Sequence, residues 1–316
     1  MTNIYPIEFR RPAPFNSVIV EWQLGNVCNF DCSFCGPENK SGTKRWLDFA
    51  VYKNTIEKII NEAAPKTVWF KFTGGEPTLY PKLIQLLQFV RSSNQKSFIL
   101  SNGTRTLRWW NELRDANCTD FIHLTHHPEQ TDDYKKIIDI VEIFRPTPTR
   151  VSINVTCIPR LFDKALKEFN ILKENCYGHI SLMQINDNIG MSKYTEQQKQ
   201  ILLANSFVRM PDPIFPKPLT YHDNRMEMVM SDQSTIVDNV FRFIKREENQ
   251  FFGWDCDAGK DLLRINHTDV YRATCQVGDK GSIFDDKLFK TTSITCTKNY
   301  CTCTLDMIQP KKFAKL

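Results

Sequence analysis

Val18-Ile19-Val20-Glu21-Trp22-Gln23-Leu24, then Gly25-Asn26-Val27, then Cys28-Asn29-Phe30-Asp31-Cys32-Ser33-Phe34-Cys35: the reading of this chain turns on this stretch. A β-branched, apolar run empties into a loop carrying three cysteines in the spacing C-x3-C-x2-C. The run reads as a buried strand. Three thiolates this close on one loop can each hold one iron of a cubic cluster, leaving the fourth iron without a protein ligand. A zinc site is the other reading of such a loop. Zinc takes four ligands, and here the nearest histidine in sequence is His123.

Downstream of that stretch the pattern repeats. Thr67–Phe72, Ser97–Ser101, Phe121–Thr125, Arg150–Cys157 and Ile180–Gln184 are further candidate strands. Between them apolar residues fall at helical spacing, as in Phe49, Tyr52, Ile56, Ile59, Ile60 and Ala63. Two further faces are Tyr134, Ile137, Ile138 and Val141, and Phe162, Ala165, Leu166, Phe169 and Leu172. Asp48 and Asp163 stand near helix starts, where a carboxylate accepts orphan N–H groups. Strands alternating with helices predict an α/β fold with a parallel sheet, open or curled into a partial barrel. Its ligand site belongs at the carboxyl ends of the strands. The three-cysteine loop lies there after the first strand, and Gly74-Gly75-Glu76-Pro77 after the second.

Together these two motifs resemble the signatures of the radical S-adenosylmethionine (SAM) superfamily: the C-x3-C-x-aromatic-C loop, with Phe34 as the aromatic, and the GGEP turn. The resemblance spans residues 18 to about 184 and implies a partial (β/α)6 barrel. It implies a 4Fe-4S cluster on Cys28, Cys32 and Cys35 whose open iron is chelated by SAM. Gly74 and Gly75 would let backbone approach the cofactor, and Glu76 would hold its ammonium. Ser101, Asn102, Ser152 and Asn154 are carried over as contacts to SAM, although Asn102-Gly103 also reads as an ordinary tight turn. Reductive cleavage would yield a 5′-deoxyadenosyl radical that abstracts hydrogen from substrate. An electron donor such as flavodoxin or ferredoxin is implied. His123, His126 and His127 end the fourth strand. A substrate-binding or proton-moving role and a purely structural one are both open to them.

The second cysteine group lies near the end: Cys256, Cys275, Cys296, Cys301 and Cys303. Leu263–Ile265 and Val270–Tyr271, joined across Asn266–Asp269, read as a hairpin between the first two. This resembles the twitch domain, the shorter relative of the SPASM domain, which implies one auxiliary 4Fe-4S cluster. The glycine usual at the hairpin turn is absent. Cys256 and Cys275 are the expected ligands, with two more from Cys296, Cys301 and Cys303, Cys301 foremost. A zinc ribbon is the competing reading, since four thiolates suit zinc equally.

The rest of the composition bounds these expectations. Among 316 residues there are eleven cysteines, an odd number that argues against a disulfide framework. Cys118, Cys157 and Cys176 stand alone and read as small buried hydrophobes. Residues 1–10 lack a secretory layout and no run approaches the roughly 18 apolar residues of a membrane span, so a cytoplasmic protein is expected. A net charge of +5 without a basic block gives nucleic-acid binding little support; Lys311, Lys312 and Lys315 read as a solvated end. Thr195–Phe207 reads as a weak helix, Pro211, Pro213, Pro216 and Pro218 as an ordered linker, and Thr235–Lys245 as helical. The expected division is a barrel domain over 1–210 and a linker with auxiliary-cluster domain over 211–316.

The functional expectation is oxidation of a small, sugar- or cyclitol-like molecule, with the auxiliary cluster accepting an electron. The barrel begins near residue 18, which leaves no room for an N-terminal peptide-recognition domain and tilts the reading from peptide to small molecule. A peptide maturase forming crosslinks or epimers is the alternative, and an iron–sulfur or zinc binding module is the non-enzymatic one.

Overall fold

The structure, a computed structural model, describes residues 4–11, 17–185, 194–206, 208–210, 225–273, 275, 280–301 and 304–313. In chain order its first half holds β1 (Pro6–Arg10), β2 (Ser17–Gln23), α1 (Phe49–Ala63), β3 (Thr67–Thr73), α2 (Leu83–Ser92), β4 (Lys96–Ser101), α3 (Leu107–Ala116) and β5 (Phe121–His126). Then come α4 (Tyr134–Phe144), β6 (Arg150–Cys157), α5 (Phe162–Asn175), β7 (His179–Gln184), α6 (Glu196–Ala204) and β8 (Val208–Arg209). The remainder holds β9 (Arg225–Met230), β10 (Thr235–Asn239), α7 (Val240–Lys245), β11 (Asp255–Cys256), β12 (Leu262–Asn266) and β13 (Asp269–Tyr271). It closes with β14 (Lys280–Ser282), β15 (Ile294–Thr295), α8 (Thr304–Met307) and β16 (Lys311–Lys312).

These elements gather into two compact units that interleave in sequence. One comprises residues 22–53 and 70–216, the other 1–21, 54–69 and 217–316. The boundary expected near residue 210 abuts residues 211–224, which lie outside the described residues, as do the four linker prolines.

The first unit is the α/β part. β4, β5, β6 and β7 pair in parallel, in sequence order, with α3, α4 and α5 as the crossovers. β8 adds an antiparallel edge to β7. Consecutive right-handed crossovers put every helix on one face of such a sheet. The pleat then divides each strand between two environments. On β5, Ile122, Leu124 and His126 are buried while His123 and Thr125 are half-buried. The helices cover the first set with apolar stripes, for example Ile137, Ile140, Val141 and Phe144 of α4. Side-chain caps fix helix starts: Thr106 on α3, Asp133 on α4, and a reciprocal Thr195–Gln198 pair on α6.

The second unit is mainly antiparallel. A six-stranded sheet runs β10-β9-β1-β16-β11-β15, and β12, β13 and β14 pair antiparallel in sequence order. The expected hairpin is present, with Asn266 opposite Asp269 and His267 at φ 60° in the turn, doing what a glycine does elsewhere. Phe9, Met226, Met228, Phe243, Phe251 and Trp254 form its core.

Two expectations are corrected here. Thr235–Lys245 is not helical throughout: Thr235–Asn239 is a strand paired with β9, and the helix begins at Val240. The β-branched Thr235, Ile236 and Val237 favour the pleated state once a partner strand is present. Nor does Lys311 belong to a solvated end, while Lys315 lies outside the described residues. Lys311 is only 1% exposed, although its neighbour Lys312 is exposed. Among the described residues no helix is long and apolar enough to cross a membrane.

Candidate functional site

The three-cysteine loop is held on both sides. At its entry Asn26, buried, bridges the following turn. Its Nδ2 donates to Ser41 Oγ at 2.9 Å and its Oδ1 accepts the Lys44 N–H at 2.7 Å. At its tip the Ser33 N–H donates to Glu129 Oε2 at 2.9 Å and the Asp31 N–H to Gln130 Oε1 at 3.1 Å, both acceptors lying beyond β5. Lys40 donates to the Cys32 carbonyl at 2.7 Å and pairs with Asp31. Spacing alone points to none of these tethers, because each is a contact between segments far apart in sequence or within an irregular loop.

The Gly74-Gly75-Glu76 turn packs directly on the entry to that loop. The Gly75 N–H donates to the Gly25 carbonyl at 3.1 Å and the Glu76 N–H to the Val27 carbonyl at 2.8 Å. A Cβ on Gly75 would lie 2.3 Å from the Val27 oxygen, so this approach requires glycine. Gly74, at φ 152°, has the Gly25 carbonyl 2.6 Å from where its Cβ would be.

Glu76 is 1% exposed, and both of its carboxylate oxygens accept hydrogen bonds. Its Oε1 accepts from the Thr78 N–H at 3.0 Å, the Thr78 hydroxyl at 2.5 Å and the Ser101 hydroxyl at 2.9 Å. Its Oε2 accepts the Asn102 N–H at 2.6 Å. Burial pushes the carboxyl pKa up, while these hydrogen bonds hold it down.

Cys28, Cys32 and Cys35 line one cavity of about 170 Å³ together with Gly75, Glu76, Ser101 and Asn102. Burial pushes all three thiols up, Cys32 to about 12. Such thiols become thiolates when a bound metal supplies the compensating charge. Three desolvated sulfurs around a cavity fit a group with three protein-held metal atoms, so the residues present match the cluster that the motifs imply. Among the described residues, no three or more His, Cys, Asp or Glu side chains gather on a single ion position.

The histidines separate. His127 lines the cavity; its Nδ1 is 3.3 Å from Cys32 Sγ and its ring stacks on Phe34. Burial lowers its pKa to about 4, so the ring is neutral at pH 7. His126 points to the helix side, where its Nε2 is 2.7 Å from Glu168 Oε2, both residues buried. His123 contacts the Ser152 hydroxyl. Asn154 Nδ2 is 3.5 Å from Met183 Sδ. Neither Ser152 nor Asn154 is among the residues lining the cysteine cavity.

The second unit holds the other cysteines. Cys256, Cys275, Cys296 and Cys301 line a cavity of about 330 Å³ with Asp306 and Lys311. Short backbone bonds place them: the Cys296 N–H donates to the Trp254 carbonyl at 2.7 Å, and the Cys301 N–H to the Asn249 carbonyl at 2.9 Å. The Cys275 N–H donates to Asp306 Oδ2 at 3.0 Å. Cys303 lies outside the described residues. Four thiols lining one cavity fit a fully thiolate-held metal group. Cys118, Cys157 and Cys176 are buried and none of them lines either cavity.

Known proteins resemble this chain in sequence and in fold. The chain is 24% identical over 177 residues to an S-adenosylmethionine-dependent nucleotide dehydratase from Thermoplasmatales archaeon (strain ISO4-H5), covering 51% of this chain and 62% of that protein. It is 27% identical over 106 residues to neomycin C epimerase of Streptomyces fradiae, covering 33% and 32%. The chain thus spans less than two thirds of these curated relatives. Among solved structures it resembles anSMEcpe with bound AdoMet, at TM-score 0.54 and 16% identity over 85% of this chain and 78% of that one. It also resembles Streptococcus suis SuiB bound to S-adenosylmethionine, at TM-score 0.53 and 14% identity over 86% and 64%. At such identities the likeness is one of fold. The model of the radical SAM superfamily matches residues 22–170, the segment that carries the three-cysteine loop, the Gly-Gly-Glu-Pro turn and most of the parallel strands.

Proposed function

We propose that this protein reductively cleaves SAM at a 4Fe-4S cluster held by Cys28, Cys32 and Cys35, and uses the resulting radical to oxidise a small molecule. The observation that carries the reading is the single cavity shared by those three thiols with Gly75, Glu76, Ser101 and Asn102. When bound, the cluster supplies the electron that splits the sulfonium, and SAM supplies the 5′-deoxyadenosyl group that abstracts hydrogen. The chain's own part is to hold and orient. Glu76 has hydrogen-bonding capacity left on Oε2, which accepts one donor, and offers it to the SAM ammonium. Asn102, whose side chain reaches Asn29 of the cysteine loop at 3.0 Å, ties the cofactor side of β4 to the cluster side. Phe30, Phe34 and Leu100 give the cavity apolar walls that keep water from the reacting atoms.

Cys256, Cys275, Cys296 and Cys301 hold one auxiliary 4Fe-4S cluster in a twitch-like domain over 211–316, following a partial (β/α)6 barrel domain over 1–210. A fully ligated cluster accepts an electron and does not bind substrate, which makes net two-electron oxidation the favoured outcome. The names of the relatives, a nucleotide dehydratase and neomycin C epimerase, support a small-molecule substrate class. The electron donor is a low-potential carrier of the flavodoxin or ferredoxin type.

The test is anaerobic reconstitution followed by a strong reductant. The protein should convert SAM to 5′-deoxyadenosine, and Cys28→Ala, Cys32→Ala and Cys35→Ala should each abolish it. Undiminished cleavage in any of the three overturns the assignment.

A further inference from the structure

Lys311 stands out among the buried groups that the proposed chemistry does not use. It is 1% exposed, in β16, directly across from Cys256 of β11 and Phe9 of β1. Its ammonium donates to the carbonyls of Asp306 at 2.7 Å, Gln309 at 2.8 Å and Met307 at 3.3 Å. It also lies 4.9 Å from the Phe251 ring centroid and 5.7 Å from that of Phe9. Its three donors go to carbonyls, which satisfy them without neutralising the charge. A desolvated cation is costly unless a negative group faces it. The group it faces is the wall of the four-cysteine cavity, which Lys311 itself lines.

Asp306 lines the same cavity, but its Oδ2 is engaged by the Cys275 N–H.

We propose that Lys311 is a fixed counter-charge for the thiolate-held cluster of the second cavity and sets how readily that cluster takes up an electron. The inference rests on the auxiliary-cluster reading above. Four thiolates leave such a site net negative, and one more electron adds to that charge. A buried cation across from a ligand favours the reduced state because the interior screens it poorly. Lys311 is therefore a positioning residue acting on the metal group through the field, with the carbonyl cage of Asp306, Met307 and Gln309 holding it in place.

The experiment uses the full chain, reconstituted anaerobically, with Lys311→Gln and Lys311→Arg beside the parent. Glutamine keeps N–H donors for the carbonyls and loses the charge; arginine keeps the charge. Iron and sulfide content and an EPR-monitored redox titration are read for both clusters, with the Cys28–Cys35 cluster as internal reference. In Lys311→Gln the second cluster should become harder to reduce while the first stays where it was, and Lys311→Arg should remain near the parent. Loss of the second cluster in Gln but not in Arg also supports a charge role. An unmoved potential at full iron content overturns the inference alone, as does equal loss of the cluster in both variants. A parent protein without a second cluster overturns it together with the auxiliary-cluster reading.

Discussion

The backbone N–H of Asn102 donates to Oε2 of Glu76 at 2.6 Å, across 26 residues of chain. With Ser101 donating to Oε1 at 2.9 Å, one buried carboxylate joins the end of β4 to the glycine turn after β3. Glu76 thus ties the scaffold together, beside the cofactor role proposed for it.

These two roles predict different outcomes for two substitutions. Glu76→Ala leaves the donors of Thr78, Ser101 and Asn102 without their acceptor. Each buried unsatisfied donor costs about 1–3 kcal/mol, so this variant should lose on the order of 3 kcal/mol or more. Glu76→Gln retains an acceptor for Asn102 and can donate to the two hydroxyls, leaving the Thr78 N–H without its acceptor, so it should lose about 1–2 kcal/mol. It still lacks the charge, and SAM affinity should fall roughly ten- to a hundredfold, equivalent to about 1.5–3 kcal/mol. Denaturant unfolding and equilibrium SAM binding on the Gln variant separate the two. Unchanged affinity there would make Glu76 a loop tie only.

Gly75→Ala should damage the cysteine loop, not the cofactor's contacts. Its Cβ would meet the Val27 oxygen at 2.3 Å and the Val27 carbonyl carbon at 2.5 Å, immediately before Cys28. Backbone cannot yield there without shifting the loop, and overpacking of this kind costs about 1–3 kcal/mol. Iron retained by the first site should drop with SAM cleavage. Gly42→Ala is the control: at φ 72° it carries backbone strain of about 1–2 kcal/mol, but its Cβ meets nothing within 4 Å. Full iron in Gly75→Ala would disprove the steric account.

How legible this molecule is in sequence depends on how far each signal travels. Arg150–Cys157 is a strand over those same residues, because periodicity is local and a buried parallel strand is uniformly apolar on its helix side. The two motifs lie where strand ends put them. By contrast β1 pairs with β9 and β16, more than 200 residues away, and β11, β15 and β16 span two residues each, too few for any periodic signal. Thr235–Asn239 is a strand because β9 is beside it. Lys311 reads as solvated from composition, yet three carbonyls and two aromatic rings enclose it. His126 and His127 are neighbours in sequence but meet different partners: His126, the last residue of β5, reaches Glu168, and His127, just past the strand end, reaches Cys32.

That opposition predicts that His126 contributes stability and not chemistry. His126→Ala leaves the buried carboxylate of Glu168 on α5 without its partner. Burial lowers the His126 pKa, so the contact is a hydrogen bond from a neutral ring, and losing a hydrogen bond to a charged group costs about 1.5–3 kcal/mol. Glu168→Gln in the same chain should recover part of it by removing the charge. Iron content and 5′-deoxyadenosine formation at low temperature should stay near the parent's. A loss of SAM cleavage in folded His126→Ala would return this residue to the active site.

His123 predicts the pH dependence of the metal-free fold. Burial, helped by Lys71, lowers its pKa to about 3, against about 6.5 for an exposed histidine. Below about pH 6.5 the unfolded chain binds a proton that the folded chain refuses, so stability falls as pH drops towards about 3. The slope from this one group is at most about 1.4 kcal/mol per pH unit. His123→Asn keeps a partner for Ser152 and cannot titrate. Urea unfolding at pH 7 and pH 5 should therefore show a smaller acid loss in the variant than in the parent. Equal losses would mean that His123 takes up its proton in the folded state.

The second cavity supplies the test that bears on the reaction itself. Cys256, Cys275, Cys296 and Cys301 line it, and a single tetrahedral ion would need all four, as would a cubic cluster. If both sites hold four-iron clusters, reconstituted protein should contain about eight irons per chain. Replacing Cys28, Cys32 and Cys35 together should leave about four, with their own spectrum. Replacing Cys256 and Cys275 should also leave about four, and SAM cleavage should continue. Net oxidation of substrate should stop, because the substrate radical no longer has an acceptor and must recover a hydrogen or rearrange. The readout is the ratio of oxidised product to 5′-deoxyadenosine, near one in the parent and falling sharply in the double variant. Zinc in the second site with iron confined to the first would assign Cys256 and Cys275 to structure, and the favoured reaction would then be a redox-neutral rearrangement.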